Sequence, residues 1–132
     1  MALLNRQQSQ AQLHSWKGQV AVITGAANGI GRAFARKLSA LGMRLLLADI
    51  AAEPLKLLVD ELAGVPTARA GADDTHMLTV SAGKGGSVIG INTDIANDFD
   101  VRALSMRAFQ EYGAVHLLCN SAGVPGLRQS KR

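Results

Sequence analysis

Short apolar runs alternate with helical stripes along this chain. Val20-Ala21-Val22-Ile23 is compact, rich in β-branched residues and flanked by glycines, which predicts a strand buried on both faces. A glycine-rich turn follows from Thr24 to Gly31. Beyond it Ile30, Ala33, Phe34, Leu38 and Leu41 recur at helical spacing, and Gly42 stands where a helix end favours positive φ. Leu45-Leu46-Leu47-Ala48 predicts a second strand closed by Asp49. Pro54 then suits a first helical turn, with Leu55, Leu58, Val59 and Leu62 as the buried face.

The pattern lapses from Gly64 to Gly86, which reads as a surface insertion in which Met77-Leu78-Thr79-Val80 could form a short strand. It returns as a third strand over Ser87–Asn92. A helix lined by Val101, Leu104, Ala108, Phe109 and Tyr112 comes next, and a fourth strand over Val115–Asn120. Strand–helix alternation with right-handed crossovers predicts an α/β fold: a Rossmann-type doubly wound parallel sheet with helices on both faces, truncated after the fourth strand.

Composition narrows the picture. One domain fits in 132 residues, with a disordered tail expected over 1–17 and the folded part over 18–132. The net charge of +4 comes from scattered residues and forms no stripe, so no nucleic-acid partner is expected. No apolar run is long enough to cross a membrane, and the first sixteen residues lack the apolar core of a secretory signal. The single cysteine, Cys119, fits a reducing compartment. A cytoplasmic location is the expectation. A mitochondrial presequence is the alternative, because the first sixteen residues are acid-free and carry one arginine.

The chemistry concentrates in Thr24-Gly25-Ala26-Ala27-Asn28-Gly29-Ile30-Gly31. A pyrophosphate seated at a helix start needs free backbone N–H groups and no obstructing side chains. Gly25 allows a sharp exit from the strand, Gly29 lets backbone meet phosphate, and Gly31 lets the helix lie close on the sheet. Asp49, eighteen residues beyond Gly31, stands at the end of the second strand. There a carboxylate accepts both hydroxyls of an adenosine ribose and repels a 2′-phosphate, which favours NAD over NADP. The other reading of Asp49 is a turn or helix-entry residue.

With these motifs in place, the chain resembles the short-chain dehydrogenase/reductase family from about Lys17 to Val124. Thr24–Gly31 matches the family's T-G-x-x-x-G-x-G turn. Asn92-Thr93-Asp94-Ile95 is similar to its Asp-Val or Asp-Ile pair after strand three, and Asn120-Ser121-Ala122-Gly123 to its N-N-A-G segment, with Ser121 replacing the second Asn. The resemblance implies a dinucleotide site formed by Gly25, Asn28, Gly29, Ile30 and Gly31 on the turn. Asp49 and Ile50 would join it after the second strand, Asp94 and Ile95 after the third, and Asn120, Ala122 and Gly123 after the fourth. Asp94 would meet the adenine amino group. Asn28, where NADP-preferring members often carry a basic residue, again favours NAD.

The family's Tyr-x-x-x-Lys pair lies beyond N-A-G. Here the only tyrosine is Tyr112, with His116 four residues on, and it reads as core. No catalytic residue is therefore assigned. His116 and Cys119 also read as core and not as metal ligands, and Ser81–Ser87 lacks the spacing of a phosphate loop. The family implication is hydride transfer between a nicotinamide cofactor and an alcohol or carbonyl, with a small-molecule substrate only if a C-terminal half exists. The alternative is a non-catalytic nucleotide-binding or partner-binding module. A sheet that ends at the fourth strand would expose an edge, so self-association through it is a further expectation.

Overall fold

The structure is a computed structural model that describes residues 15–64, 77–80 and 87–123. Residues 1–14, 65–76, 81–86 and 124–132 lie outside it, and with them most of the expected tail and much of the 64–86 insertion. The elements are β1 (Val20–Thr24), α1 (Gly29–Ala40), β2 (Arg44–Asp49), α2 (Ala52–Ala63), β3 (Met77–Val80), β4 (Val88–Asn92), α3 (Asp98–Tyr112) and β5 (Leu117–Asn120).

The sheet runs β3-β4-β2-β1-β5. The four strands expected from the apolar runs pair in parallel, with Val22 opposite Leu46 and Leu118, and Leu46 opposite Ile89. The all-parallel expectation needs one correction. β3, the short strand within the insertion, joins β4 antiparallel, with Met77 opposite Ile91 and Val80 opposite Val88. Its pairing occupies the outer edge of β4. On the other side, β5 has no outer partner among the described residues.

Alternation along the strands divides the core. Ala21, Ile23, Leu45 and Leu47 face α1 and α2 and pack on Ala35, Leu38, Leu55, Leu58 and Val59. Val22, Leu46 and Ala48 face the opposite way and pack with Ile89, Leu104 and Ala108 under α3. The two strand faces therefore bury against helices on opposite sides, as a doubly wound sheet requires. Trp16 packs against the first cluster, and Gly18 N–H donates to Gly42 O at 2.9 Å. Residues 15–17 of the expected tail are therefore among the described residues, and the tryptophan has apolar cover.

Two helical faces differ from the pattern. On α1 the buried positions are Gly31, Ala35 and Leu38, whereas Ile30 is 71% and Phe34 46% exposed. Gly31 lies against the strand exits, and this phase turns Ile30 and Phe34 aside. On α3 Leu104 and Ala108 are buried, but Val101 and Phe109 are exposed. The helix meets the sheet along a narrow line, and no described element covers its flank.

The ends of the elements follow local chemistry. The Asn97 side chain caps α3 by accepting from the N–H groups of Phe99 and Asp100. Gly64 and Gly113 end α2 and α3 with positive φ. The Tyr112 hydroxyl donates to Leu45 O at 3.2 Å and accepts from Ser87 Oγ at 2.7 Å, tying the end of α3 to the sheet. This agrees with a structural reading of that tyrosine. His116 is exposed and not core as expected, since it lies in the bend that leads into the edge strand β5, and its Nδ1 accepts the Val20 N–H at 2.9 Å.

Candidate functional site

The C-terminal ends of the parallel strands open into one groove of about 870 Å³. That is within the range of roughly 300–1,000 Å³ common for small-molecule sites. Its position follows from topology. β1 is flanked by β2 and β5, the crossovers on its two sides lead to opposite sheet faces, and a crevice opens where they diverge.

The glycine turn forms one wall. Gly25 has φ +64°, and a Cβ there would lie 2.6 Å from the Ala122 backbone. The turn and the segment after β5 therefore touch backbone to backbone. A Cβ on Gly31 would lie 2.2 Å from Gly25 O and 2.5 Å from Ser121 Oγ, so only hydrogen fits. Gly29 has φ +55° and open space where a side chain would point. Ala26 and Ala27 are fully buried, with their methyl groups in the core.

α1 begins at this wall without a side-chain cap. Its N-cap residue Asn28 accepts nothing through its side chain from the first turn, and that turn contains no acid. The helix start keeps free N–H groups and the positive end of the dipole beside the groove. Together with the open space at Gly29, this provides a cradle that fits an anionic phosphate group.

The second wall comes from the ends of β2 and β4. Asp49 is half-buried. Its Oδ2 accepts the Ala27 N–H at 3.0 Å, and its Oδ1 accepts the Ala51 N–H at 2.8 Å. Ile50 follows, 65% exposed. After β4, Asp94 Oδ1 accepts the Ala96 N–H at 2.9 Å, while the Asp94 N–H donates to Asp100 Oδ2. Ile95 stands exposed beside it. Two exposed isoleucines thus follow neighbouring strands and line the same groove.

The floor is the segment after β5. Ser121 Oγ donates to Thr24 O at 2.5 Å, and the Ala122 N–H meets Thr24 Oγ1 at 3.4 Å. Asn120 pairs with Thr24 in register and is exposed. All the residues singled out from the sequence line the groove except Gly31, which lies beneath it against Gly25 and Ser121.

Phe34, Thr93 and Cys119 also line the groove and were not singled out. Phe34 follows Ile30 by one helical turn, which is the available signal. Thr93 is buried, and its hydroxyl donates to Ile91 O. Burial pushes the Cys119 thiol above its ordinary pKa. No group of three or more His, Cys, Asp or Glu suited to a metal occurs among the described residues. No described helix is long and apolar enough to cross a membrane.

Comparison with known proteins agrees with this architecture. The short chain dehydrogenase family model matches residues 19–77. A putative ketoacyl reductase of the granaticin polyketide synthase from Streptomyces violaceoruber is 37% identical over 107 residues, 81% of this chain and 32% of the relative. The 1-deoxy-11-beta-hydroxypentalenate dehydrogenase of Streptomyces avermitilis is 33% identical, over 80% of this chain and 32% of its own length. Among solved structures, a short chain dehydrogenase/reductase from Burkholderia phymatum in complex with NAD is 41% identical with a TM-score of 0.62. It covers 78% of this chain, which spans 30% of it. A metagenomic short-chain oxidoreductase in complex with NADP is 30% identical with a TM-score of 0.63, over 82% of this chain and 40% of that one. The chain thus spans about a third of the length of these curated relatives. With its glycine turn, strand order and these likenesses, the chain belongs to the short-chain dehydrogenase/reductase family.

Proposed function

We propose that the groove binds the dinucleotide NAD and that the chain is the cofactor-binding portion of an oxidoreductase. The family reaction is hydride transfer between the nicotinamide and an alcohol or carbonyl. The observation that carries this reading is the uncapped start of α1 at Gly29, facing the groove beside the Asp49 carboxylate. The pyrophosphate would meet the turn at Gly25, Asn28, Gly29 and Ile30. Gly31 would keep the helix close enough for that contact. The ribose would meet Asp49, and the adenine would lie between Ile50 and Ile95 with its amino group toward Asp94. Asn120, Ala122 and Gly123 would floor the far half. When bound, the nicotinamide supplies the hydride acceptor or donor, and this chain's residues bind and orient it.

NAD is preferred to NADP in this reading because a 2′-phosphate would approach the Asp49 carboxylate. No basic side chain stands at position 28 to offset that repulsion. Calorimetric titration of the chain with each dinucleotide tests the preference. NAD is expected to bind at least tenfold more tightly. Equal or tighter binding of NADP would reject the preference while leaving a dinucleotide site intact.

The chain's one tyrosine is engaged at the far end of the sheet, and no Tyr-x-x-x-Lys pair occurs in the sequence. Turnover by the chain alone is therefore not expected. A small-molecule substrate would need residues supplied by further sequence. A partner-binding role is the second reading, favoured by Leu118, which is 56% exposed on β5, an edge strand with no outer partner among the described residues.

A further inference from the structure

We infer that Asp49 is a positioning residue for the glycine turn, so that the turn is held in shape by the same carboxylate that faces the ribose. The inference deepens the proposed dinucleotide reading and rests on it only for the ribose contact.

An acid whose sole task was to receive ribose hydroxyls would present a free carboxylate to the groove. Here both oxygens already accept backbone N–H groups, Oδ2 from Ala27 at 3.0 Å and Oδ1 from Ala51 at 2.8 Å. Ala27 is fully buried at the middle of the turn. A buried N–H must find an acceptor, and Asp49 is the acceptor described for it. The preceding Ala26 N–H goes to Ala48 O at 3.2 Å. Successive residues of the turn are thus fastened to the end of β2, one through backbone and one through the Asp49 side chain. The other oxygen fastens Ala51, from which α2 departs.

A carboxylate has about four lone-pair sites, and two are used here. The backbone bonds fix the plane of the group, and the remaining sites stay available to a ligand. The two sequence readings of Asp49, ribose acceptor and turn residue, are therefore compatible. Position 49 must carry two acceptor oxygens at aspartate length. Asparagine offers one oxygen and turns an N–H₂ toward the other donor. Glutamate sets its carboxylate one methylene too far out. Neutralising Asp49 to admit a 2′-phosphate would release the turn that holds the pyrophosphate.

The test uses the full chain. Backbone amide exchange is followed by NMR without any ligand, in the parent and in Asp49→Ala and Asp49→Asn. At least tenfold faster exchange is expected at Ala27 in Asp49→Ala, with Ile23 and Leu46 unchanged. In Asp49→Asn, which keeps the side-chain shape, either Ala27 or Ala51 is expected to lose protection. Unchanged Ala27 and Ala51 protection in folded Asp49→Asn overturns the inference. Inorganic pyrophosphate supplies a second readout with opposite signs. Removal of a negative charge alone would tighten its binding, whereas a loosened turn weakens it several-fold. Tighter binding in Asp49→Asn overturns the inference. Adenosine titration isolates the ribose contact. If adenosine affinity is unchanged while Ala27 exchanges faster, the ribose reading fails and the positioning role stands.

Discussion

At the scale of single residues, the glycines of the turn make separable demands. Gly31→Ala would drive a methyl into Gly25 O and Ser121 Oγ. Such overpacking against backbone is expected to cost about 3 kcal/mol or more, read as a lowered urea midpoint. Gly29→Ala meets no atom and only forces alanine into a left-handed conformation. It is expected to cost about 1–2 kcal/mol while weakening NAD binding more than tenfold, because its methyl would point toward the phosphate cradle. Equal effects of the two substitutions on stability would contradict these assignments. Cys119 gives a pH signature. Burial penalises the thiolate, so its pKa is raised and less thiolate is present at a given pH. Alkylation at pH 8 is expected to be slower in the native chain than in urea, and slower still with NAD in the groove that Cys119 lines. The glycine roles were legible in the sequence because they follow from local backbone geometry. The use of both Asp49 oxygens was not, since it depends on where Ala27 and Ala51 stand in space.

At the scale of elements, the apolar runs located the parallel strands well, because a strand buried on both faces needs a continuous hydrophobic stretch. The helix faces were less legible. Ile30 and Phe34 share a stripe with Leu38 by spacing, yet the contact of Gly31 with Gly25 sets the helix phase and turns both toward the groove. Periodicity gives a stripe but not the rotation that a close backbone approach imposes. β3 was visible only as a short apolar run, since its pairing with β4 is a tertiary choice. α3 is held by the burial of Leu104 and Ala108 and by a side-chain latch at its end. Tyr112→Phe removes the bonds to Leu45 O and Ser87 Oγ while keeping the ring. A loss of about 1 kcal/mol is expected in chemical denaturation, with NAD affinity unchanged because the latch lies at the far end of the sheet. Loss of NAD binding in that variant would show that α3 and the groove are coupled.

At the scale of the whole molecule, the two sides of the sheet are treated differently. The β4 edge is paired by β3, while β5, which carries the exposed Leu118, has no outer partner among the described residues, and Phe109 is exposed on α3. Open apolar edges favour association. Leu118→Glu is expected to shift the chain toward monomer in sedimentation at matched concentration without lowering its thermal midpoint. An unchanged association state would remove this edge as the contact. The central claim is that the groove at the strand ends receives a dinucleotide, and NMR titration of the full chain with NAD tests it most directly. Resonances of Gly25, Gly29, Asp49, Ile50, Asp94, Ile95 and Asn120 are expected to move together with one saturable dependence, while Leu104 and Tyr112 stay still. A titration to millimolar NAD that leaves the groove residues unmoved, or moves only residues away from it, would contradict the claim.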